Sequence, residues 1–397
     1  MTFAPLRLKR NEDRRLRAGH VWVYSNEVDT AATPLAEFEP GQAAVIQDHA
    51  GRALGCGYVN PHTLICARLV SRDSAQPLNQ SLLVHRLNIC RGLRERIFRQ
   101  PYYRLAFSDS DGLPGLVVDR YGNVVVAQIT TAGMERLREE VVAAIDKVLH
   151  PRAIVLRNDS ASREVEGLGS YVEIPLGEMP DRVMIEENGV RFEAPVVEGQ
   201  KTGWFYDQRM NRARLPDYVK GAAVLDLFSY TGAWGVQAAA AGAASVLCVE
   251  SSARAVDWIR GNAAMNGVED RLSVLHDDAF ETLRQLRAER RHFDVVIADP
   301  PAFIKRKKDA REGVRAYHRL NQMAMQVLAK DAILVSASCS YHLARSDLQQ
   351  ILLQSSRHLD RFLQLVEQGG QGPDHPVHPA IPETGYLKVF FSRILPS

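Results

Sequence analysis

Five short clusters in the second half of this 397-residue chain combine acids, a thiol and turn-forming residues at the spacing of successive strand ends. The first runs from Asp226 through Phe228, Tyr230 and Gly232 to Gly235, a glycine-bearing turn that opens a helix. It lacks the Gly-x-Gly-x-x-Gly order that cradles a pyrophosphate, which disfavours a nicotinamide dehydrogenase. The second cluster, Glu250 followed by Ser251, places a carboxylate where it can take a ribose diol. An acidic ribose clamp without a phosphate loop suits a nucleoside cofactor that carries no phosphate, and S-adenosylmethionine is the common one. A purely structural β–α turn is the alternative. The third cluster is Asp277, Asp278, Ala279 and Phe280. Its carboxylate can accept from an adenine amino group, with the Ala279 N–H beside it. An aspartate in front of a helix is equally explained as an N-cap.

The fourth cluster is Asp299, Pro300, Pro301, Ala302 and Phe303. Two prolines fix the backbone, so a carboxylate and an aromatic ring project beyond the sheet. Such a pair can hydrogen-bond and stack on an extruded base; a rigid loop is the alternative. The fifth is Ser336, Ala337, Ser338, Cys339 and Ser340. Cys56, Cys66, Cys90 and Cys248 fall in apolar segments and read as inert core residues. Cys339 differs because it leaves the same sheet edge as Asp299, on what should be the neighbouring strand. Carbon 5 of cytosine is too weakly nucleophilic to take a methyl group directly. A thiolate added at carbon 6 makes it enamine-like, and a proton donor near ring nitrogen 3 assists. That chemistry needs a sulfur and an acid at these two positions.

These clusters must be held by a sheet. Strands are expected at 223–228, 245–250, 272–276, 293–298 and 333–337, with helices at 235–241, 253–266, 280–290 and 314–328. Such alternation argues for a doubly wound α/β fold. Strands at 362–367 and 386–393 complete a seven-stranded, Rossmann-like methyltransferase sheet, in which ligands bind beyond the carboxyl ends of the strands. Earlier segments follow other patterns. Short strands at 43–47, 54–59 and 64–70 suggest a small all-β barrel or sandwich over residues 1–75, and 71–80 reads as a linker. A basic amphipathic helix at 81–99 opens a central α+β domain over 76–195. It should hold strands at 116–119, 124–130 and 153–157, a helix at 134–149, and a hairpin across Asn188 and Gly189. The third domain is 196–397.

Charge is uneven along the chain. Lysine and arginine total 49 against 47 acids, a net charge of only +2, which by itself argues weakly against a nucleic-acid binder. Yet residues 1–20 carry net +4, and 85–104 and 301–320 carry +5 each. Gathered on one face they would bind phosphates, with affinity falling steeply with salt. Solvated helix faces are the alternative. The odd, dispersed cysteines suggest neither a disulfide framework nor a zinc ribbon, and no metal site is expected. Residues 1–17 lack the apolar core of a signal peptide, and 222–249 is broken by Asp226 and glycines. A reduced, cytoplasmic protein without membrane contact is expected.

In combination, the stretch from Lys201 to Arg209, the Asp226–Gly232 turn, Asp299-Pro-Pro-Ala-Phe303 and Ser338-Cys-Ser340 resemble the bacterial 23S ribosomal RNA cytosine-5 methyltransferase I family. Asp374-His-Pro-Val377 and Tyr386-Leu-Lys388 extend the resemblance over nearly the whole chain. It implies an N-terminal PUA RNA-binding domain, a central α+β domain and a class I S-adenosylmethionine-dependent catalytic domain. Carried over, Cys339 is the nucleophile and Asp299 lies beside the cytosine. Asp226, Phe228, Tyr230, Gly232, Glu250 and Asp278, with Ser251, Ala279 and Asp299, line the cofactor pocket. Pro300, Pro301, Phe303, Lys305, Arg306, Lys307, Lys308 and Arg209 are expected to meet the RNA. Many RNA cytosine-5 methyltransferases carry a second cysteine in the Asp-x-Pro-Cys position; here Pro300 and Pro301 occupy that neighbourhood, so removal of the carbon 5 proton has no obvious owner among His342, Asp299 and water. Expected partners are 23S ribosomal RNA or a large-subunit precursor, with a homodimer left open. A methyltransferase acting on another base, such as guanine N7, needs no nucleophile, so Cys339 speaks against it. A non-catalytic ribosome-assembly factor would bind no cofactor.

Overall fold

Apolar strands alternating with amphipathic helices from residue 223 onward form one seven-stranded sheet. The computed structural model describes residues 3–76 and 78–397. Pro77 of the expected linker, and Met1 and Thr2 at the head of the first basic run, lie outside the described residues. The chain forms two compact units. One holds the described residues up to Val183 with Pro195–Trp204 and Pro373–Thr384; the other holds Met184–Ala194, Phe205–Gly372 and Gly385–Ser397. Among the described residues, no helix is long and apolar enough to cross a membrane.

In the second unit the strands are β1 (Ala223–Leu227), β2 (Ser245–Glu250), β3 (Leu272–His276), β4 (Phe293–Ala298), β5 (Leu328–Ser338), β6 (Arg361–Gly369) and β7 (Lys388–Pro396). Their order across the sheet is β3-β2-β1-β4-β5-β7-β6, parallel except for the β7 pairings with β5 and β6. Helices α1 (Ala233–Ala240), α2 (Ala253–Met265), α3 (Ala279–Ala288), α4 (Ala310–Gln326) and α5 (Arg345–His358) connect them. Helix α5 is an addition to the expected elements; Leu348, Ile351 and Leu352 on it are buried in the main core. The order reverses direction between β1 and β4, so the crevice at their carboxyl ends is a topological switch point. Ala298 on β4 pairs with Ser336 on β5. Asp299 and Cys339 therefore leave neighbouring strands, about 4.8 Å apart, at the same edge.

The first unit carries two five-stranded sheets. The first runs in the order Ala4–Arg7, Gln42–Gln47, Ala53–Val59, Ile65–Ser71, Trp22–Tyr24. The second runs Tyr171–Gly177, Ala153–Asn158, Val124–Ile129, Leu116–Tyr121, Tyr102–Phe107. Its two outer strands were not expected. The helix expected at 134–149 is two helices, Ala132–Glu135 and Arg138–Leu149. Gly133, inside the first of them, lies so close to the Tyr58 ring that a Cβ would sit 2.0 Å from its Cγ. The chain then turns at Leu137 (φ −100°, ψ 19°) to start the second helix. The hairpin Met184–Glu187 with Val190–Glu193 turns on Asn188 (φ 54°) and Gly189 (φ 80°), the two left-handed residues a tight hairpin requires.

Several arginines of the first two basic runs are held in ion pairs. Arg94 is 0% exposed and forks onto both Asp111 oxygens at 2.8 and 2.6 Å. Arg104 does the same to Asp119 at 2.8 Å twice. Arg15 pairs with Glu27 at 2.6 Å, and Arg17 with Asp13 and Asp48 at 2.5 and 3.1 Å. These arginines neutralise acids elsewhere in the fold, whereas Lys9, Arg10, Arg14, Arg96 and Arg99 of the same runs are exposed. In the third run Lys305, Arg306, Lys307 and Lys308 are all exposed.

Candidate active site

Asp226 stands on the central strand β1 with no exposed surface. One carboxylate oxygen, Oδ2, accepts from the Gly235 N–H at 3.0 Å, while Oδ1 is buried without a hydrogen-bond partner. Gly235 is required there, because a Cβ would meet the Cys248 sulfur at 2.3 Å. Between them the chain takes left-handed conformations at Phe228 (φ 60°), Tyr230 (φ 52°) and Gly232 (φ 80°). Strain of this kind at two non-glycine residues marks a loop shaped for a ligand rather than for stability alone. At the end of β2, Glu250 accepts from the Tyr230 N–H at 2.8 Å and the Ser252 N–H at 2.9 Å, which ties the turn to the second strand. Tyr230 packs edge-on against Phe205 and Trp258, with ring centroids 5.5 and 6.0 Å apart. Orphaned oxygens of Asp226 and Thr231 beside a strained turn and a ribose-height carboxylate suit a ligand with amino and hydroxyl donors, as S-adenosylmethionine has. Asp278 caps α3, its Oδ1 accepting from the Phe280 and Glu281 N–H groups at 2.8 and 3.1 Å. The N-cap alternative is therefore realised, and it uses one oxygen.

Burial pushes the Asp226 carboxyl up to about 7; Asp299 and Glu250 push the same way, and the contacts with Ser229 and Gly235 oppose them. A carboxyl raised above its ordinary value near 4 stabilises the fold while it is neutral. That contribution is complete below about pH 4 and is lost as pH rises through about 7. The ligand-free protein should thus lose thermal stability between about pH 4 and pH 7, and Asp226→Asn should flatten the profile by on the order of a few kcal/mol. The same variant should bind S-adenosylhomocysteine at least about tenfold more weakly. Melting curves across pH and titration calorimetry check both; an Asp226→Asn melting profile as steep as the wild type's contradicts the assignment.

Asp299, at the end of β4, is only partly exposed at the crevice. Its Oδ2 accepts from the Gln208 side chain at 2.9 Å and the Trp234 indole N–H at 3.0 Å. Gln208 is itself held by Asn211, which also reaches the Gly370 carbonyl. Arg212 anchors this short segment to the hairpin, forking onto Glu187 at 2.5 and 3.0 Å. Burial pushes the Asp299 carboxyl up to about 6, despite the opposing pull of Trp234, Arg212 and Gln208. The uncharged Gln208 and Trp234 donors and the more distant Arg212 do not cancel the desolvation of a charge in this crevice.

Cys339 leaves β5 partly exposed, whereas the other four cysteines are buried. Its loop is locked to the loop after Asp299. Ser340 Oγ accepts from the Ile304 N–H at 3.1 Å and lies 2.9 Å from the Tyr317 hydroxyl. Ser338 Oγ accepts from the Ser340 N–H at 3.2 Å. The two loops that carry the acid and the thiol thus share one hydrogen-bonded frame.

Asp226, Phe228, Tyr230, Gly232, Glu250, Asp299 and Cys339 accordingly gather at one sheet edge, with Ser251, Asp278 and Ala279 at the ends of the two flanking strands. Arg209 is corrected as an RNA contact. It is 8% exposed, with its guanidinium 3.6 Å from Glu187 and 5.0 Å from the Tyr206 ring centre. Phe303 is half-buried against Tyr317, ring centres 4.8 Å apart, and Pro300 is buried while Pro301 is exposed. Sequence reasoning missed Gln208, Trp234 and Tyr317 as supports. Trp234 sits two residues beyond Gly232, so its place in the turn was the available signal.

Comparisons with known proteins bear on the fold and the family. A PUA-like domain model matches residues 6–72, and an S-adenosylmethionine-dependent methyltransferase model matches 161–387. Ribosomal RNA large subunit methyltransferase I of Shewanella denitrificans is 38% identical over 397 residues, covering 98% of this chain and 99% of the relative. The enzyme of the same name from Shewanella frigidimarina is 36% identical with the same coverage. Among solved structures, a candidate methyltransferase, SMU.776, complexed with SAH superposes with a TM-score of 0.84 at 21% identity, covering 99% of this chain and all of that one. The last likeness supports the fold and the relatives support the lineage: the chain belongs to the ribosomal RNA large subunit methyltransferase I family of S-adenosylmethionine-dependent methyltransferases.

Proposed function

We propose that this chain methylates carbon 5 of a cytosine in 23S ribosomal RNA, with Cys339 as covalent nucleophile and Asp299 as the acid at ring nitrogen 3. The observation that carries the reading is Cys339: alone among the five cysteines it is not buried, and it leaves the strand next to Asp299. S-adenosylmethionine supplies an electrophilic methyl carbon when bound. Asp226, Phe228, Tyr230, Gly232, Glu250, Ser251, Asp278 and Ala279 hold it. The Cys339 sulfur bonds to carbon 6 while Asp299 donates a hydrogen bond to ring nitrogen 3, and electron density shifts to carbon 5. After the methyl group has joined carbon 5, that carbon gives its proton to water, the 5,6 double bond re-forms and the carbon–sulfur bond breaks, returning the thiolate.

The exposed run Lys305 to Lys308 follows Asp299 by six residues and suits the phosphates on either side of the target base. Residues 1–75 serve as the PUA-like RNA-binding domain, 76–195 as the central domain and 196–397 as the catalytic domain. Five free cysteines fit the reducing cytoplasm where ribosomal RNA is made. Incubation of 23S ribosomal RNA with labelled S-adenosylmethionine, followed by digestion to nucleosides, should place the label in 5-methylcytidine. Label in 7-methylguanosine, or none, would overturn the reading.

A further inference from the structure

Lys388 is a buried charge to which the chemistry above gives no role. It is 5% exposed and is the first residue of β7, in register with Ser338, one residue before Cys339. Its Nζ donates to the Ser340 carbonyl at 2.6 Å and to the Tyr386 carbonyl at 2.8 Å. The ammonium is thereby fixed on the backbone immediately after the nucleophile. Two neutral carbonyls satisfy two of its three N–H groups but do not balance a full charge, and an unbalanced buried charge is costly. Burial draws Lys388 down to about 8, and the Cys339 sulfur is the largest influence holding it up. An ammonium and a nearby thiolate stabilise each other by Coulomb attraction.

Resting on the assignment of Cys339 as nucleophile, we propose that Lys388 is a positioning residue that keeps Cys339 as a thiolate and fixes the loop presenting its sulfur. The thiol proton leaves to solvent, the ammonium keeps its three protons, and the freed sulfur lone pair attacks. Other ionisable groups face this pair. Arg345 and Asp347, at the start of α5, act on Lys388 with opposite signs. The Tyr317 hydroxyl from α4 is pushed up by burial and stays neutral. His342 lies three residues beyond the thiol, and Asp299 ends the neighbouring strand. Lys388 is the cation whose contact is built into the thiol's own loop.

The test is the rate of iodoacetamide alkylation at Cys339 against pH in the full-length protein, read by peptide mass spectrometry. In the wild type the midpoint should fall below that of a free cysteine, about 8.5. Lys388→Gln keeps a donor for the two carbonyls but removes the charge. It should raise the midpoint by about one unit and slow alkylation near neutral pH about tenfold. Lys388→Arg, which keeps the charge, should retain the wild-type midpoint. Unchanged S-adenosylhomocysteine binding by calorimetry reports that each variant is folded. A Lys388→Gln midpoint equal to the wild type's overturns the proposal. So does a wild-type midpoint at or above 8.5, which can be read whether or not the variants fold. Failure of the nucleophile assignment is distinct: Cys339→Ala would then still methylate, whatever the alkylation profile.

Discussion

Replacing Cys339 with alanine is expected to abolish 5-methylcytidine formation, a loss of at least about a thousandfold in kcat, while S-adenosylmethionine binding stays near the wild-type value. The two halves of that expectation come from different parts of the sheet. The thiol leaves β5 in a loop framed by Ser338, Ser340 and Tyr317. The cofactor-side groups leave β1 and β2, where Asp226 accepts from the Gly235 N–H and Glu250 from the Tyr230 N–H. Deleting one sulfur removes the covalent route without disturbing the turn. Serine at the same position is a poorer control, because its hydroxyl adds a hydrogen-bonding group to that frame. Calorimetric titration with S-adenosylhomocysteine and nucleoside analysis of the product RNA separate binding from chemistry.

Asp299→Asn carries the second largest effect, a fall in kcat/KM of roughly 10²–10⁴. The carboxyl is pushed up to about 6, chiefly by burial. Its neutral, donating form is thus plentiful below about pH 6 and is depleted above it. The thiolate moves the other way and becomes more abundant as pH rises. Their product gives a bell-shaped dependence, whose descending limb belongs to Asp299. Asparagine keeps an acceptor for the Gln208 and Trp234 donors, so the site should stay assembled, but the descending limb should disappear. Trp234→Phe removes one donor that favours the ionised carboxylate. That variant should move the descending limb to higher pH. A bell unchanged in Asp299→Asn would assign the limb to another group.

Much of this site is legible in the sequence. Asp299 before two prolines and Cys339 between two serines stand out because apolar parallel strands end abruptly in polar groups, and strand order then brings them together. The same applies to the Asn188–Gly189 hairpin, where residue type alone fixes the turn. What escaped depends on partners far along the chain. Arg94 finds Asp111 and Arg104 finds Asp119, so a local charge count could not tell a phosphate face from buried ion pairs. Arg209 looked like an RNA contact for the same reason, since Glu187 lies on the hairpin that precedes it. Gln208 and Trp234 reach Asp299 from segments 91 and 65 residues away, and no spacing rule predicts such contacts. The strand Tyr171–Gly177 was hidden by the proline at 175, which an edge strand tolerates.

The central claim is a bond between Cys339 and carbon 6 of a cytosine. Carbon 5 of 5-fluorocytosine carries fluorine in place of the proton that must leave, so an enzyme using this route stops at the methylated adduct. Ribosomal RNA containing 5-fluorocytosine, incubated with the protein and S-adenosylmethionine and then digested with nuclease and protease, should yield a peptide with a methylated fluorocytidine attached at Cys339. No covalent complex with a substrate that is otherwise methylated, or an adduct on any other residue, would contradict the account.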